Sequence, residues 1–279
     1  MDVSKEFSDH REIFLKECPI CDLKFFYPLA PGSEFFYKDL QQFDWYYLEE
    51  KNEYSIAKNF IKKSDSVLDV GSGKGAFKEF VNGADFTGLE LSNEAIITGQ
   101  QKNIKILNQT IEEHASANKE KYDVVCAFQV LEHIPNIHTF IEKCLDALKP
   151  QGLLIISVPS DESFVPRIFN CILNMPPHHI SRWPDSTLKK VAKQFNLSVH
   201  HFEHDLLSPI HKDVYSMTVC HHALNKIFNR KERLINRSLL DNILKKLSYP
   251  LSLFYSKGLV KGLLPLGHSI TVVYKKMDK

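Results

Sequence analysis

Apolar and polar residues along this chain follow two rhythms that take turns. Between Asp65 and Val199, short and nearly unbroken apolar runs alternate with stretches in which apolar residues recur every three or four positions. Runs such as Tyr122–Phe128 and Leu153–Val158 suit strands buried on both faces of a parallel sheet. Between them Ile137, Phe140, Ile141, Cys144, Leu145 and Leu148 keep helical spacing, and Lys149-Pro150-Gln151-Gly152 closes that helix. The pattern predicts strands at about 66–70, 85–91, 104–107, 122–128, 152–158 and 196–204, separated by helices. Such alternation defines an α/β fold.

Elements flank this core on both sides. Residues 1–60 form an aromatic leader or cap, with Phe25-Phe26-Tyr27, Phe35-Phe36-Tyr37 and Phe43-Asp44-Trp45-Tyr46-Tyr47, and Glu49–Ile61 reads as a helix entering the first strand. Residues 61–279 form the main domain: a core at 62–204, a helical insertion at about 214–260 and a final strand at about 268–275. That insertion exceeds the ~12–15 residues usual for a connection in a compact domain. Leu240, Ile243, Leu244 and Leu247 share one helical face, so it is expected to fold, either as a packed cover or as a lid over an acceptor. Lys226, Arg230, Lys231, Arg233 and Arg237 make it basic, which suits a solvated helix surface or an anionic acceptor.

Candidate chemistry begins at Val67-Leu68-Asp69-Val70-Gly71-Ser72-Gly73-Lys74-Gly75, followed by Phe86-Thr87-Gly88-Leu89-Glu90. Glycines at alternate positions let the backbone pass flush against a bulky ligand. A helix is expected to follow the turn, and Glu90, at the tip of the second strand, is placed to take the hydroxyls of a ribose. The spacing is not the dinucleotide G-x-G-x-x-G, and Asp69 would repel a pyrophosphate while suiting a cationic ligand.

The order acid, G-x-G-x-G, then an acid at the next strand tip resembles the class I S-adenosylmethionine-dependent methyltransferases. Gln129-Val130-Leu131-Glu132-His133-Ile134-Pro135 and Leu148-Lys149-Pro150-Gln151-Gly152 resemble later motifs of the same family. The resemblance covers most of Asp65–Val199 and implies a Rossmann-like, seven-stranded, mostly parallel sheet whose last strand is antiparallel. It implies S-adenosylmethionine as cofactor, held by Asp69, Gly71, Ser72, Gly73 and Gly75 in the turn. Glu90 would take the ribose and Leu91 the adenine pocket, with Gln109 or Thr110 where the family often has an acid. Phe128 and Gln129 would border the methyl region, and Trp45, Tyr46 and Tyr47 would either close the pocket or simply pack.

A general base is the remaining need, because a hydroxyl or amine must lose a proton as it attacks the methyl group. Met175-Pro176-Pro177-His178-His179-Ile180-Ser181-Arg182-Trp183 follows the strand ending at Pro159 and resembles a run in small-molecule and polysaccharide-cluster methyltransferases. His178 and His179 are therefore candidate catalytic residues, with His133 competing for the role. In the small-RNA 3′-end methyltransferases the pattern E-x-x-E-H binds a divalent metal. Here Gln129 replaces the first acid, so no metal is expected.

Composition narrows the function further. The 279 residues carry a formal charge of +1, which does not suggest bulk affinity for nucleic acid. No secretory signal and no apolar run near the ~20 residues that span a bilayer is read, so a cytoplasmic location is expected. Cys18-Pro19-Ile20-Cys21 is half of a zinc knuckle without a second pair, which favours a plain turn. The expected activity is methyl transfer to a hydroxyl, or failing that an amine, of a small-molecule or glycan-linked acceptor that is anionic if the basic cluster serves it. The alternative is a non-catalytic S-adenosylmethionine-binding scaffold of the same fold.

Overall fold

The computed structural model describes residues 3–7, 12–40, 42–43, 49–81, 83–230, 233, 235–259 and 264–278. Its centre is a seven-stranded sheet. In chain order the strands are β3 (Ser66–Val70), β4 (Asp85–Leu89), β5 (Ile106–Leu107), β6 (Tyr122–Phe128), β7 (Leu148–Pro159), β9 (Leu197–Leu206) and β10 (Leu266–Lys276). Their spatial order is β5-β4-β3-β6-β7-β10-β9. β3 pairs in parallel with both β4 and β6, whereas β10 lies antiparallel between β7 and β9. This is the expected sheet, with the last strand inserted beside the fifth.

Helices cover both faces. α4 (Ile111–Ala117), α5 (Ile137–Ala147) and α6 (Asp185–Gln194) close one side through Ile111, Phe140, Ile141, Cys144, Leu188 and Val191. α2 (Asn52–Lys58) and α3 (Asn93–Gln101) close the other through Tyr54, Ala57 and Ile96, together with Phe77. Strands buried on both faces need apolar residues throughout, which is why their runs are nearly continuous. Trp183 and Tyr274 are among the largest buried side chains, and the Tyr274 hydroxyl donates to Leu188 O at 2.7 Å.

Three local expectations are corrected. The turn after β3 leads not into an α-helix but into a 3-10 turn at Ala76–Phe80. Phe77 is fully buried there, and the next strand begins only five residues further on, so no longer helix fits. β7 starts at Leu148, immediately after α5, and its pairing with β6 jumps from Tyr122↔Leu148 to Val124↔Leu153. The Lys149–Gly152 segment, with Gln151 at φ 61°, is a bulge inside a strand.

The insertion folds as a helical hairpin, α7 (Lys212–Ile227) and α8 (Leu239–Lys257). Of the shared face expected to pack, only Leu244 is buried; Leu240, Ile243 and Leu247 are exposed. The helix is turned so that its polar stripe faces α7.

The leader is woven into the body. β1 (Phe14–Glu17) and β2 (Lys24–Tyr27) form a hairpin, and β2 pairs with β8 (Ser181–Arg182) just after the paired histidines. α1 (Glu34–Leu40) follows, while Trp45, Tyr46 and Tyr47 lie outside the described residues. Cys18 and Cys21 sit in the β1–β2 turn, where Cys18 N donates to Leu23 O and Asp22 N to Cys18 O, both at 2.9 Å. Both thiols are free, and among the described residues they join no group of three or more metal-capable side chains.

Candidate active site

Two groups of residues meet at the carboxyl ends of the parallel strands, where ligands of open α/β sheets bind. The first is the glycine turn. Gly71, Gly73 and Gly75 take φ values of 75°, 54° and 80°, a left-handed region that side chains resist. At Gly71 a side chain is excluded a second time, because a Cβ would stand 2.6 Å from Val130 Cγ2. Gly71 N and Ser72 N both donate to Leu89 O, at 2.8 and 2.9 Å, which ties the turn to the end of β4.

Glu90 stands just beyond that end. Its Oε2 accepts from Gly73 N at 2.9 Å, and its Oε1 accepts from Leu91 N and Ser92 N at 2.8 and 2.9 Å. A carboxylate has roughly four acceptor sites. The backbone fills three, so Glu90 is fixed against the turn with acceptor capacity left on Oε2.

Asp69 closes the floor of the turn. It is 2% exposed, and its Oδ1 has no hydrogen-bond partner among the described residues; the buried Ser72 hydroxyl has none either. Burial pushes the Asp69 pKa up to about 8, the Glu90 charge adds to the rise, and Lys51 opposes it.

The second group is the histidine cluster, assembled by one short ladder. Ile180 N donates to Glu132 O at 2.9 Å, and Phe26 N donates to Ile180 O at 3.0 Å. The pairing draws the turn Leu131–His133, the loop carrying His178 and His179, and leader strand β2 together. One ring nitrogen from each of His133, His178 and His179 lies within 4.8 Å of the others. All three sequence candidates therefore meet.

Hydrogen bonds define their tautomers. His133 Nδ1 lies 2.6 Å from His178 O, and His178 Nδ1 lies 2.9 Å from Leu173 O. A carbonyl only accepts, so each Nδ1 carries the proton and each Nε2 the lone pair. His179 Nδ1 is 3.2 Å from Asn174 Oδ1, and Asn174 Nδ2 donates to Val165 O, which orients that amide and gives His179 the same tautomer. Glu132 stands behind, 1% exposed, its Oε1 3.8 Å from His133 Nε2 and 3.9 Å from His179 Nε2. Neither of its oxygens has a hydrogen-bond partner among the described residues.

Burial raises the Glu132 pKa to about 8 and lowers that of His133 to about 3; burial also lowers His178 and takes His179 well down. The centre gathers imidazole lone pairs around a buried carboxyl that keeps its proton to about pH 8, an arrangement suited to holding a proton or a cation.

Other sequence candidates divide. Gln129, at φ 57°, donates from Nε2 to Ser269, Ser157 and Glu53 at 3.1, 3.2 and 3.4 Å, and so belongs to the pocket. Phe128 packs in the core against Phe77 and Tyr54. Leu91 is exposed beside Glu90. Gln109 Oε1 bonds His114 Nδ1 at 2.8 Å, and Thr110 caps α4 in a reciprocal pair with Glu113.

Several pocket residues escaped the sequence. Tyr37 of α1 contacts His133 Nδ1 at 3.2 Å and His178 O at 3.4 Å, with Phe36 against the His178 ring, so this end of the leader covers the histidines. Glu53 is buried and its carboxyl pushed up by desolvation. Asp205, held by Asn52 Nδ2 at 2.6 Å, is raised by burial to about 6. His268 is lowered by burial to about 4. None carries a motif; each is brought in by helix α1 or α2 or by the ends of β9 and β10.

Comparison with known proteins agrees with this architecture. A family model described as "Methyltransferase domain" matches residues 45–202. The chain therefore belongs to that family, within the class I S-adenosylmethionine-dependent methyltransferases. Among its relatives, a ubiquinone biosynthesis O-methyltransferase of Glaesserella parasuis serovar 5 (strain SH0165) is 36% identical over 103 residues, covering 33% of this chain and 44% of the relative. Its counterpart in Shewanella pealeana (strain ATCC 700345 / ANG-SQ1) is 37% identical over 101 residues, covering 33% and 42%. The chain thus spans less than half the length of these relatives. A SAM-dependent methyltransferase from Archaeoglobus fulgidus shares the fold, with a TM-score of 0.55 at 16% identity over 86% of this chain and all of that one.

The buried acids predict how stability responds to pH. Above about pH 7.5 an unfolded histidine is about nine-tenths neutral, so the raised acids set the sign of the slope. Asp69 and Glu132 hold their protons to about pH 8 in the native protein but release them near pH 4 when unfolded. A raised acid contributes stability that is present at low pH and lost as pH rises through the native pKa. Urea midpoints should therefore fall between about pH 7.5 and 8.5, and Asp69→Asn should flatten the fall; a flat or rising midpoint in the parent would show both acids already ionised.

Proposed function

We propose that this protein transfers a methyl group from S-adenosylmethionine to a hydroxyl, with an amine as the lesser alternative, of a small-molecule or glycan-linked acceptor. The observation that carries the reading is the buried, unpartnered Asp69 Oδ1 beside a turn in which Gly71 has no room for a Cβ. A buried carboxylate without a partner is costly until a cation reaches it. The cofactor's ammonium and sulfonium fit that need, and a bare backbone fits its approach. Relatives named as O-methyltransferases favour a hydroxyl acceptor.

Bound there, S-adenosylmethionine supplies an already electrophilic methyl group. The chain's own residues then have three tasks. Asp69 would hold the methionine end and Glu90, through its remaining acceptor capacity, the ribose. His178 and His179, neutral through burial and with lone pairs on Nε2, would take the acceptor's proton as it attacks. Glu132, within 3.9 Å of His133 and His179, would stabilise the imidazolium that forms. Tyr37 and Phe36 cover this end of the pocket and limit water.

A second reading of the histidines follows from Glu132, whose oxygens lack partners while facing two Nε2 lone pairs. Three imidazoles and a carboxylate are donors suited to a first-row divalent ion. Adjacent ligands of a tetrahedral site with bonds of about 2.0–2.1 Å stand about 3.3 Å apart. The 3.8 and 3.9 Å separations from Glu132 need a contraction of about 0.5 Å, and the histidine nitrogens, up to 4.8 Å apart, one of about 1.5 Å. Such an ion would polarise the acceptor hydroxyl in place of a base.

Three measurements test these roles. Glu90→Ala should weaken S-adenosylhomocysteine binding in calorimetry by about 1.5–3 kcal/mol for each charge-assisted hydrogen bond lost. Unchanged affinity removes Glu90 from the site. His178→Ala and His179→Ala should each lower turnover of a methyl acceptor by about 10²–10⁴-fold while leaving cofactor affinity nearly intact, and parental turnover in both would make the pair structural. Elemental analysis of protein purified without chelator decides between base and metal: about one divalent ion per chain, with turnover lost to a chelator, establishes the second reading, and metal-free active protein ends it.

A further inference from the structure

The helical hairpin α7–α8 is built inside out. Its buried residues are mostly polar or small: Ser216, Thr218, Cys220, His221 and Asn225 on α7 and Asp241, Ser248 and Ser252 on α8, alongside Leu244, and His221 Nε2 lies 3.3 Å from Asp241 Oδ1. The hydroxyls of Ser216, Ser248 and Ser252 turn back onto carbonyls of their own helices, at 2.8, 2.8 and 2.7 Å. These three hydroxyls are thus satisfied without water, whereas Asp241 Oδ2 has no hydrogen-bond partner among the described residues. The opposite side is apolar: nine of the 19 residues of α8 are exposed large hydrophobics. Leu239, Ile243, Leu247 and Phe254 recur at helical spacing as one stripe, with Leu239 and Phe254 more than three-quarters exposed. Ile227, Phe228 and Ile235 extend it around the tip. A helix in water shows the reverse arrangement. Small and polar contacts between helices, with apolar residues outside, are what lipid selects.

Charge identifies the occupant. Residues 209–264 hold ten Lys and Arg against three Asp and Glu, a formal +7 in a chain whose total is +1, so the remainder is −6. Described members of this set lie at the tip and flanks of the apolar stripe: Lys226, Arg230, Arg233, Arg237, Lys246 and Lys257. A cavity of about 270 Å³ at the tip is lined by His222, Ala223, Lys226, Asn229 and Arg230. Arg230 Nη1 is buried there with no hydrogen-bond partner among the described residues. A second copy would bring +7 against +7. Among the described residues no helix is long and apolar enough to cross a membrane.

We infer that the α7–α8 hairpin is a membrane-surface anchor, lying in the interface of a bilayer that contains anionic lipid. Its apolar stripe enters the boundary between head groups and acyl chains, and its basic residues meet the lipid phosphates. The hairpin is rooted beside the pocket: His211 and Tyr215 pack on Phe164, and His222 bonds Arg167 O at 2.7 Å, in the segment leading from β7 to the histidines. An acceptor held in or at the bilayer would reach the site from this side.

The test uses the whole chain and vesicles of phosphatidylcholine, with or without a third of phosphatidylglycerol. Co-sedimentation should be strong only with the anionic vesicles and should fall at least tenfold in 0.5 M salt, as surface charge is screened. Leu247→Glu with Phe254→Glu should abolish pelleting, and Arg230→Gln with Arg237→Gln should weaken it by about fivefold per charge. Both variants should keep the parental melting temperature and affinity for S-adenosylhomocysteine, a readout that separates this inference from the methyl-transfer reading. Absence of pelleting by the parent, or equal pelleting by the glutamate variant, overturns it. So does a salt-stable dimer in ultracentrifugation that the glutamate variant dissociates, which would assign the stripe to a second copy.

Discussion

Desolvated carboxyl groups at the ends of parallel strands are the constraint on which this structure turns. Asp69 Oδ1 and both Glu132 oxygens are shielded from water and have no hydrogen-bond donor among the described residues, and Glu53 and Asp205 have pKa values also raised by burial. Lys51 is the cation that acts on Asp69, Glu53 and Glu132. A fold keeps such groups only where something else supplies the missing partner. At Asp69 a glycine-rich turn leaves room for the cationic nucleoside that we propose binds there. At Glu132 the surroundings describe a proton or a metal ion shared with imidazoles.

The histidine cluster shows how the two regions depend on each other. The single bond from Ile180 to the Glu132 carbonyl carries His178 and His179 over the end of β6, and leader strand β2 braces the same segment from the other side. The aromatic leader is therefore part of the site. Its contribution comes from Tyr37 and Phe36, which meet the rings directly. Carbonyl acceptors set the tautomers, so the lone pairs face inward whether they take a proton or bind an ion.

The hairpin adds a second level of organisation. A polar seam and an apolar exterior separate it from the water-facing logic of the remaining helices, and its charge is opposite to that of the remaining chain. Anchoring of this kind would bring a pocket that handles one methyl group to the surface where an amphipathic acceptor resides.

Much of this was legible in the residues. Buried parallel strands must be apolar on both faces, so β3, β4, β6 and β7 announced themselves. The turn glycines and Glu90 were legible because backbone geometry and ligand approach restrict residue choice locally. The three histidines were individually visible as candidates. Their meeting was not, because it depends on a pairing between Ile180 and Glu132 across 48 residues. Gln109 and Thr110 were legible as candidates, but not their bonds to a neighbouring histidine and to the start of α4. Helical spacing showed that α8 has an apolar face but not which way it points. Local sequence thus determined the elements, the turn and the chemistry available, since those follow from residue type and period. Tertiary structure alone decided which acids lost their water, which lone pairs converge and which stripe of a helix is left outside, because each depends on what is packed against it.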